Sequence, residues 1–595
     1  MAVSTTNTTD GIEIRLAAYH NCDDVQLFWR AAVGGEEDMP VPDCLGYMIE
    51  RRRLGPDGQW LPTEVLRNRV SFSGEKDEGE DTPAYQTQPS NVWPFQRYDW
   101  TDHGANNGQA VRYRVAAVVL PDGGTIGESE LHAIADSGWT EPIIVVGETD
   151  GGVSAYFNRG FVMSQYVARI ARKNGWGPLD LKAHIKELEE PLRLFLSGEL
   201  RLAMLRLLDE VIGDDSLAFY CALYELDDVE LIGRLTTLGG RAHVVLSNGS
   251  DKAGDGNERA RSALKDAGVD VRDRLLGNQG LGHNKFAVVA DAAGESASHA
   301  WTGSTNWAAT GLCTQANNGI LFEDAEVAQL YLEQWHRLAD AKSGFTTGFV
   351  EANAESPRVA GAAEVWFTRV RNPSMKKDIP PGKDIQALID LVNGAREMIL
   401  YVMFQPGPEP LRSIIERAEE DGMIVKGVVS TAPQSITEEE FELVGTGTHK
   451  KYKTAMVQPE GVGQSFSAWV KEVTCDEFLT TPHHEGVGHA ITHSKMIVMD
   501  PLSDDCLVIT GSHNFSKAAS EHNDENFVVV RGNRALAEAY SVACLSTYAH
   551  YRWRAYVKDK AEAGEAIWDH LSGGPEWQQE CLTPAVKQTL SAWCP

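Results

Sequence analysis

The sequence contains the same polar motif twice, and this duplication constrains the fold more than any other feature. The first copy is His283-Asn284-Lys285, followed by an apolar run and then by Gly303-Ser304-Thr305-Asn306. The second copy is His493-Ser494-Lys495, followed by Gly511-Ser512-His513-Asn514. The two motif histidines lie 210 residues apart (493 minus 283). Two incomplete sets of polar side chains at this spacing predict an internal duplication whose halves share one site.

The apolar residues around both motifs alternate between helical and strand spacing. In the first half this spacing predicts helices at 181–211, 229–238 and 257–267 and strands at 217–226, 242–246 and 285–289. In the second half it predicts helices at 385–395 and 411–421 and strands at 398–403, 424–429 and 495–499. Alternating strands and helices indicate an α/β fold. We therefore expect two α/β repeats, at 160–345 and 355–560.

The first part of the chain predicts a separate all-β domain at 11–146. Apolar residues alternate around Trp29, Tyr47 and Tyr113, and turns rich in Gly, Pro and Asp separate these segments. The pattern resembles a fibronectin type III or immunoglobulin-like sandwich, in which a buried Trp and a corner Tyr are common. Because no catalytic cluster is visible there, we expect an accessory module for a protein or surface partner.

Short segments join and close these domains. Composition predicts a linker at 147–159 and a C-terminal tail at 561–595. The tail contains Trp568, Trp577 and Trp593, and we expect it to form a helical segment that packs on the second repeat.

Composition limits the classes of partner and compartment. The 595 residues carry a formal net charge of −31, which disfavours indiscriminate binding to a nucleic-acid backbone. No signal peptide is visible at the N-terminus and no run of about 18 apolar residues occurs. The nine cysteines show no CxxC spacing, so we expect reduced thiols in a cytoplasm. In a secreted form, Cys22 with Cys44 or Cys581 with Cys594 would be free to pair.

The paired motifs resemble the HxK and GSxN sequences of the phospholipase D superfamily of phosphodiesterases, over about 160–554. The second copy matches the whole pattern, including Asp500, and Glu525 stands eleven positions after Asn514. The first copy departs at Ala290, where the pattern has Asp, and Asp291 comes one residue late. The resemblance implies a multidomain chain in which the β-sandwich precedes two α/β repeats that form one pseudo-twofold catalytic unit.

Chemistry at a phosphodiester explains these residue types. Negative charge that develops on the non-bridging oxygens needs fixed cations and hydrogen-bond donors. We expect four residues to supply them, with Ser304 and Ser512 assisting and with Asp500 and Asn317 as supporting residues: Lys285, Lys495, Asn306 and Asn514. The mechanism then needs no metal and no cofactor. Two histidines can provide a nucleophile and a proton donor near neutral pH.

The resemblance implies a covalent phosphohistidine intermediate. A carboxylate beside an imidazole favours its charged form, whereas an amide does not. We therefore expect Glu525 to keep His493 protonated as the general acid. Asn317, at the matching offset from Asn306, should leave His283 neutral and nucleophilic.

Two further groups of residues leave their roles open. Trp307 and Phe515 follow the GSxN segments, while Tyr224 and Phe404 end the corresponding strands. All four can line a substrate pocket or pack in the core. A histidine-rich segment before the second motif suggests either a metal site or, as its glycines favour, a loop near the site: His483, His484, Glu485 and His489.

These features predict a hydrolase that is a phospholipase D, hydrolysing or transphosphatidylating phospholipid headgroups. The β-module would suit a bacterial enzyme of lipid degradation that docks to a surface. The first alternative is a nucleic-acid phosphodiesterase, and the second is a non-catalytic scaffold that keeps the fold. We expect a monomer, because both half-sites lie in one chain. We expect the protein in the cytoplasm, or secreted without a recognisable signal peptide.

Overall fold

A computed structural model describes most of the chain. The described residues are 2–72, 87–160, 170, 174–176, 178–249, 254–277, 280–373, 379–430, 433, 435–436, 455–457, 492–562, 564 and 570–595. They fall into two compact units. One contains the residues up to Gly147 and those from Tyr556 onward, and the other runs from Glu148 to Ala555.

The first unit is rich in β-structure, as the sequence predicted. Its strands are β1 (Val3–Thr9), β2 (Ile12–His20), β3 (Val25–Val33), β4 (Glu36–Glu37), β5 (Gly46–Arg53), β6 (Glu64–Val65), β7 (Arg67–Asn68), β8 (Gln88–Pro89), β9 (Asp99–Asp102), β10 (Ala110–Val119), β11 (His132–Asp136) and β12 (Ile143–Ile144). One sheet has the order β1-β2-β3-β4, with β9 also on β3. The other has the order β11-β10-β5-β6, with β12 also on β10. Trp29 and Tyr113 are fully buried in this unit.

The C-terminal tail belongs to this first unit. Its helices are Trp577–Cys581 and Pro584–Trp593. The Trp593 ring lies 4.9 Å from that of Tyr19 and 5.4 Å from that of Phe28, and Tyr19 donates a hydrogen bond to the Trp593 carbonyl at 2.7 Å. The prediction that the tail packs on the second repeat is therefore wrong. Strands β2 and β3 present aromatic side chains, and Trp593 buries its own surface against them.

The second unit contains a seven-stranded sheet built around the first motif. Its strands are β13 (Val153–Phe157), β14 (Leu217–Leu223), β15 (Ala242–Ser247), β16 (Asp270–Arg274), β17 (Lys285–Asp291), β18 (Ala297–Gly303) and β19 (Asn318–Phe322). Their order is β13-β19-β18-β17-β14-β15-β16. Its helices are Pro178–His184, Pro191–Gly213, Val229–Leu238, Glu258–Asp266, Ala309–Cys313, Ala325–Ala341 and Thr347–Ala354.

An eight-stranded sheet is built around the second motif. Its strands are β20 (Arg358–Ala360), β21 (Ala363–Phe367), β22 (Met398–Met403), β23 (Ile424–Val429), β24 (Ala455–Val457), β25 (Met496–Met499), β26 (Leu507–Gly511) and β27 (Asn526–Arg531). Their order is β20-β21-β27-β26-β25-β22-β23-β24. Its helices are Lys383–Gly394, Pro408–Ala418, Lys517–Glu521 and Arg534–Glu562.

The central strands of both sheets explain why apolar runs predicted this fold. Strands β14 and β22 each pair with one parallel and one antiparallel neighbour. All residues of β22 are buried, as are those of β14 after Leu217. A strand covered on both faces needs apolar residues at every position. The predicted helices and strands of both halves are confirmed with ends shifted by a few residues, except at 181–211, where the structure has two helices, Pro178–His184 and Pro191–Gly213, in place of one.

The predicted linker is wrong in part. Val153–Phe157 is a buried strand, and it pairs antiparallel with β19. It forms one edge strand of the seven-stranded sheet, although the glycine-rich residues before it are typical of a linker. The described cysteines carry free thiols. Among the described helices, none is both long and apolar enough to cross a membrane.

Candidate active site

Each motif histidine lies two or three residues before a central strand, β17 or β25, and is held by backbone from the other half of the unit. The His283 N–H donates to the Asp524 carbonyl at 3.0 Å, and the His493 N–H donates to the Ala316 carbonyl at 2.9 Å. Both contacts lie beside isolated parallel bridges between these segments. The two halves therefore meet at the histidines.

The side-chain partners of the histidines also come from the opposite half of the unit. His283 Nδ1 lies 2.7 Å from Glu525 Oε2, and His493 Nδ1 lies 3.0 Å from Asn317 Oδ1. The expected pairs, Glu525 with His493 and Asn317 with His283, are wrong. Glu525 directly follows Asp524, and Asn317 directly follows Ala316. Each of these side chains therefore reaches the histidine of the other half rather than the histidine of its own motif.

The motif serines hold the histidine partners. Ser304 Oγ donates to Asn317 Oδ1 at 2.8 Å, and Ser512 Oγ donates to Glu525 Oε2 at 2.8 Å. Both serines are fully buried. Their hydroxyls thus position the amide and the carboxylate, which corrects the expectation that they assist at the phosphate directly.

The motif glycines allow the chain to pass close to the neighbouring strand. Gly303 has φ +150° and Gly511 has φ +154°, a region that disfavours other residues. A Cβ at Gly303 would clash with the Asn318 carbonyl, and one at Gly511 with the Asn526 carbonyl. The glycine in each GSxN segment is therefore required by backbone packing.

Two buried asparagines form side-chain hydrogen bonds between the seven-stranded and the eight-stranded sheet. Asn526 Oδ1 accepts a hydrogen bond from Thr302 at 2.6 Å, and Asn318 Nδ2 donates to Thr510 at 2.7 Å. Tyrosines on the long helices complete the set, with Tyr331 on Asn526 and Tyr540 on Asn318. Sequence reasoning missed the threonines and tyrosines, since only their mutual placement marks them.

The two motif lysines are buried beside the histidines. Lys285 Nζ donates to the His283 carbonyl at 2.8 Å, and Lys495 makes the matching contact with His493. Burial lowers the pKa of Lys285 to about 8, although Glu525 acts in the opposite direction. Burial and the nearby Lys285 lower the pKa of Lys495 further below its usual range. Buried ammonium groups of this kind favour a bound anion.

Burial also favours the neutral form of both histidines. It lowers the pKa of His283 to about 4, against the opposing effect of Glu525. Burial is the main reason that the pKa of His493 lies well below its usual range, and the charge of Lys495 is the next. Burial alone would raise the pKa of Glu525, but contact with His283 outweighs it and lowers that pKa. The site therefore pairs an ionised carboxylate with a neutral imidazole.

The four aromatic residues divide into two groups. Tyr224 lies 4.7 Å from the His283 ring, and Phe404 lies 4.8 Å from the His493 ring, measured between centroids. Lys285 lies over the Tyr224 ring and Lys495 over the Phe404 ring. These two aromatics border the site. Trp307 and Phe515 are buried, Phe515 within the apolar core of its sheet, so they serve packing.

The motif asparagines bring an unexpected carboxylate into the site. Asn306 Nδ2 donates to Glu225 Oε2 at 2.6 Å. Among the described atoms, Asn306 Oδ1 and Asn514 Oδ1 are buried and accept no hydrogen bond. Glu225 also acts to raise the pKa of both motif lysines, so its charge lies close to them. The sequence signal was a charged residue directly after the apolar strand β14.

Asp500 supports the fold at a distance from the histidines. Its carboxylate accepts hydrogen bonds from the backbone N–H groups of Arg396, Glu397 and Met398 at 2.8, 2.8 and 2.9 Å. Asp291 accepts from Glu295 and Ser296 in its own turn. Both aspartates therefore stabilise the strand end opposite the motif histidine, and the one-residue offset in the first copy leaves this role in place.

No group of three or more His, Cys, Asp or Glu side chains suited to a metal ion is found within the part of the chain that the structure describes. The histidine-rich segment, with His483, His484, Glu485 and His489, lies outside the described residues. The residues around His283 and His493 offer cations and amides rather than a cluster of anionic ligands.

Comparison with known proteins identifies part of the chain. Residues 388–543 match the family model described as cardiolipin synthase, PLD-like domain. No curated protein matches the sequence. The chain is similar to a polyphosphate kinase from Porphyromonas gingivalis, at 14% identity and a TM-score of 0.35, over 55% of this chain and 45% of that chain. It thus spans less than half the length of that kinase.

Two further solved structures are similar to the chain. One is phosphatidylserine synthase from Haemophilus influenzae, at 11% identity and a TM-score of 0.39, over 62% of this chain and 92% of that chain. The other is yeast tyrosyl-DNA phosphodiesterase, at 12% identity and a TM-score of 0.28, over 55% of this chain and 85% of that chain. Residues 388–543, which contain the second motif, are therefore similar to a PLD-like domain.

Proposed function

We propose that the protein is a metal-independent phosphodiesterase that works through a covalent phosphohistidine, and that it acts as a phospholipase D on phospholipid headgroups. One observation carries the proposal. His283 and His493 are both buried, and each Nδ1 is bound by a side chain from the other half of the unit. This leaves both Nε2 atoms for chemistry at one phosphorus between them.

In the first step, His283 Nε2 attacks phosphorus and forms the P–N bond. The P–O bond to the alcohol breaks, its electron pair stays on the alcohol oxygen, and that oxygen takes a proton from His493 Nε2. In the second step, water gives a proton to His493 as it attacks phosphorus. The P–N bond then breaks and its electron pair returns to His283. An alcohol in place of water gives transphosphatidylation.

The crossed partners support this assignment of roles. A phosphorylated imidazole carries a positive charge, and the Glu525 carboxylate at 2.7 Å stabilises that charge on His283. The amide of Asn317 stabilises a charged His493 less, so His493 gives up its proton more readily. His283 is therefore suited to act as the nucleophile, and His493 to act as the acid. The roles are those expected from sequence, but the histidine bound by Glu525 is the nucleophile and not the acid.

Four side chains complete the reaction site. Lys285 and Lys495 supply positive charge for the non-bridging oxygens, with Asn306 and Asn514 beside them. A bound phosphodiester anion would also raise the pKa of His493 and so load it with the proton that the leaving alcohol needs. Because fixed cations come from the chain, we propose that no metal takes part.

The two sheets support a duplicated architecture. From β13 and from β21 onward, the strands follow one order and one pattern of parallel and antiparallel pairs. Each sheet also contributes one asparagine to a hydrogen bond with a threonine of the other sheet: Asn526 with Thr302, and Asn318 with Thr510. We propose two repeats, 160–345 and 355–560, related by a pseudo-twofold axis, in a chain that is complete as a monomer.

The N-terminal unit supports an accessory role. Strands β1, β2, β3, β4 and β9 form one five-stranded sheet, and β5, β6, β10, β11 and β12 form another. Two such sheets with a buried Trp29 and a buried Tyr113 are compatible with a fibronectin type III-like sandwich. We propose that this module binds a protein or surface partner.

The lipid substrate is supported by the family match, whose name refers to cardiolipin synthase. The test offers the full-length protein phosphatidylcholine, bis(p-nitrophenyl) phosphate and single-stranded DNA, all with EDTA. We expect headgroup release, lost in both His283→Ala and His493→Ala while circular dichroism stays unchanged. Cleavage of DNA alone would favour a nuclease. No activity on any of the three substrates would favour a scaffold. Loss of activity on chelation would contradict the metal-free mechanism.

A further inference from the structure

The two half-sites differ at one position that borders the site. Strand β14 is followed by Tyr224 and Glu225, and strand β22 by Phe404 and Gln405. Two residues later, the Asp227 N–H donates to the Trp307 carbonyl at 3.1 Å and the Gly407 N–H donates to the Phe515 carbonyl at 2.9 Å. The backbone is thus alike at both places, so Glu225 and Gln405 occupy equivalent positions. One half carries a carboxylate where the other carries a neutral amide.

The Glu225 carboxylate faces the reaction site. Its Oε2 accepts a hydrogen bond from Asn306 Nδ2 at 2.6 Å, and Asn306 is one of the proposed phosphate contacts. Its charge acts to raise the pKa of Lys285 and of Lys495, which lie in different halves. The Glu225 carboxylate therefore lies beside one proposed phosphate contact and acts on two others.

A negative charge in this position favours the charged forms of both lysines, whose pKa values burial lowers. It also weakens the field that they offer to the phosphate. The charge is useful if the substrate itself brings a cation next to its phosphate. It also repels a substrate with a second phosphate beside the first, in agreement with the net charge of −31.

We infer that Glu225 is a specificity-determining residue that selects phosphodiesters with a cationic group on the alcohol and rejects those with neighbouring negative charge. This inference rests on the proposed function. The neighbouring Tyr224 ring already holds a cation, because the Lys285 ammonium lies 5.1 Å from its centroid. A carboxylate and an aromatic ring together suit an ammonium or quaternary ammonium group.

The test uses Glu225→Gln, which keeps the acceptor for Asn306 and copies Gln405 from the other half. Glu326→Gln, an exposed position, removes the same charge away from the site. Binding of glycerophosphocholine and of glycerophosphoglycerol, two diesters with and without a cation, is measured by calorimetry. The full-length chain carries His283→Asn in these titrations so that no adduct forms.

We expect the protein to prefer glycerophosphocholine by about tenfold, in line with one partly screened charge contact, and Glu225→Gln to abolish the preference. Glu326→Gln should leave it unchanged. Equal binding of both diesters, or a preference that survives Glu225→Gln, would overturn the inference. Turnover of dihexanoyl phosphatidylcholine by the unmodified protein is followed separately. Its absence would defeat the proposed function while the binding ratio still decides the role of Glu225.

Discussion

The crossed pairing of histidines makes a sharp prediction for Glu525→Gln. Glu525 is fully buried, and its Oε2 lies 2.7 Å from His283 Nδ1 and 2.8 Å from Ser512 Oγ. Glutamine removes the charge and keeps one acceptor oxygen for His283, while its amide replaces the oxygen that accepts from Asn523 Nδ2 at 3.1 Å. The variant therefore tests chiefly the electrostatic support of the phosphohistidine.

The magnitude follows from the contact. At an effective dielectric constant of about 20, a full charge pair at this separation is worth about 6 kcal/mol, which is an upper bound. Glutamine retains the hydrogen bond and avoids the desolvation of a carboxylate, so the net loss should resemble that of a hydrogen bond to a charged group. We expect about 2 kcal/mol, or about 30-fold slower formation of the adduct.

Rapid quench with mass spectrometry of the peptides measures that rate and locates the phosphoryl group. Two leaving groups separate the roles: p-nitrophenol needs no acid, whereas an alkyl alcohol does. Glu525→Gln should slow both substrates alike, while Asn317→Ala should slow only the alkyl ester. The reversed pattern, or an adduct on the peptide that contains His493, would refute the assignment.

Three further changes test other parts of the structure. The pKa of His283 in the folded protein, about 4, lies below its unfolded value of about 6.5, so the unfolded state binds more protons between these values. Its contribution to the unfolding free energy should therefore fall by about 2 kcal/mol from pH 7 to pH 5, and urea titrations should show a shallower pH dependence in His283→Gln. Asp524→Asn breaks a buried pair with Arg274 at 2.7 Å, and denaturation should report a loss of about 3 kcal/mol, whereas an unchanged midpoint would exclude a structural role. Trp593→Ala should destabilise the N-terminal unit by about 3 kcal/mol in calorimetry, and no shift in its transition would show that the tail is dispensable.

Local patterns predicted much of the fold. The apolar runs of β14 and β22 are continuous because both strands are covered on both faces, and the helices around them carry the apolar stripe that a helix needs to pack on a sheet. Composition failed where an element is short or lies at an edge. Strand β13 is short and lies between glycines and a polar segment, so composition alone predicts a linker there.

The motif residues were likewise predicted by spacing, whereas their roles were not. Spacing alone predicts Ser304 and Ser512 at the phosphate. In the structure, their hydroxyls donate instead to Asn317 and Glu525, the side chains that bind the motif histidines. Tyr224 and Phe404 could not be separated from Trp307 and Phe515 by sequence. Contact of Tyr224 and Phe404 with the motif histidines distinguished the two pairs.

By itself, the sequence determined the duplicated motif, the α/β character of both halves, and the chemical types gathered at the site. These are local properties, fixed by the spacing of a few neighbouring residues. Only the tertiary structure decided that Glu525 binds His283 and Asn317 binds His493, across 242 and 176 positions of chain. The physical reason is that each histidine, just before its strand, hydrogen-bonds to backbone from the opposite half, and neither segment alone carries a sequence pattern for such a contact.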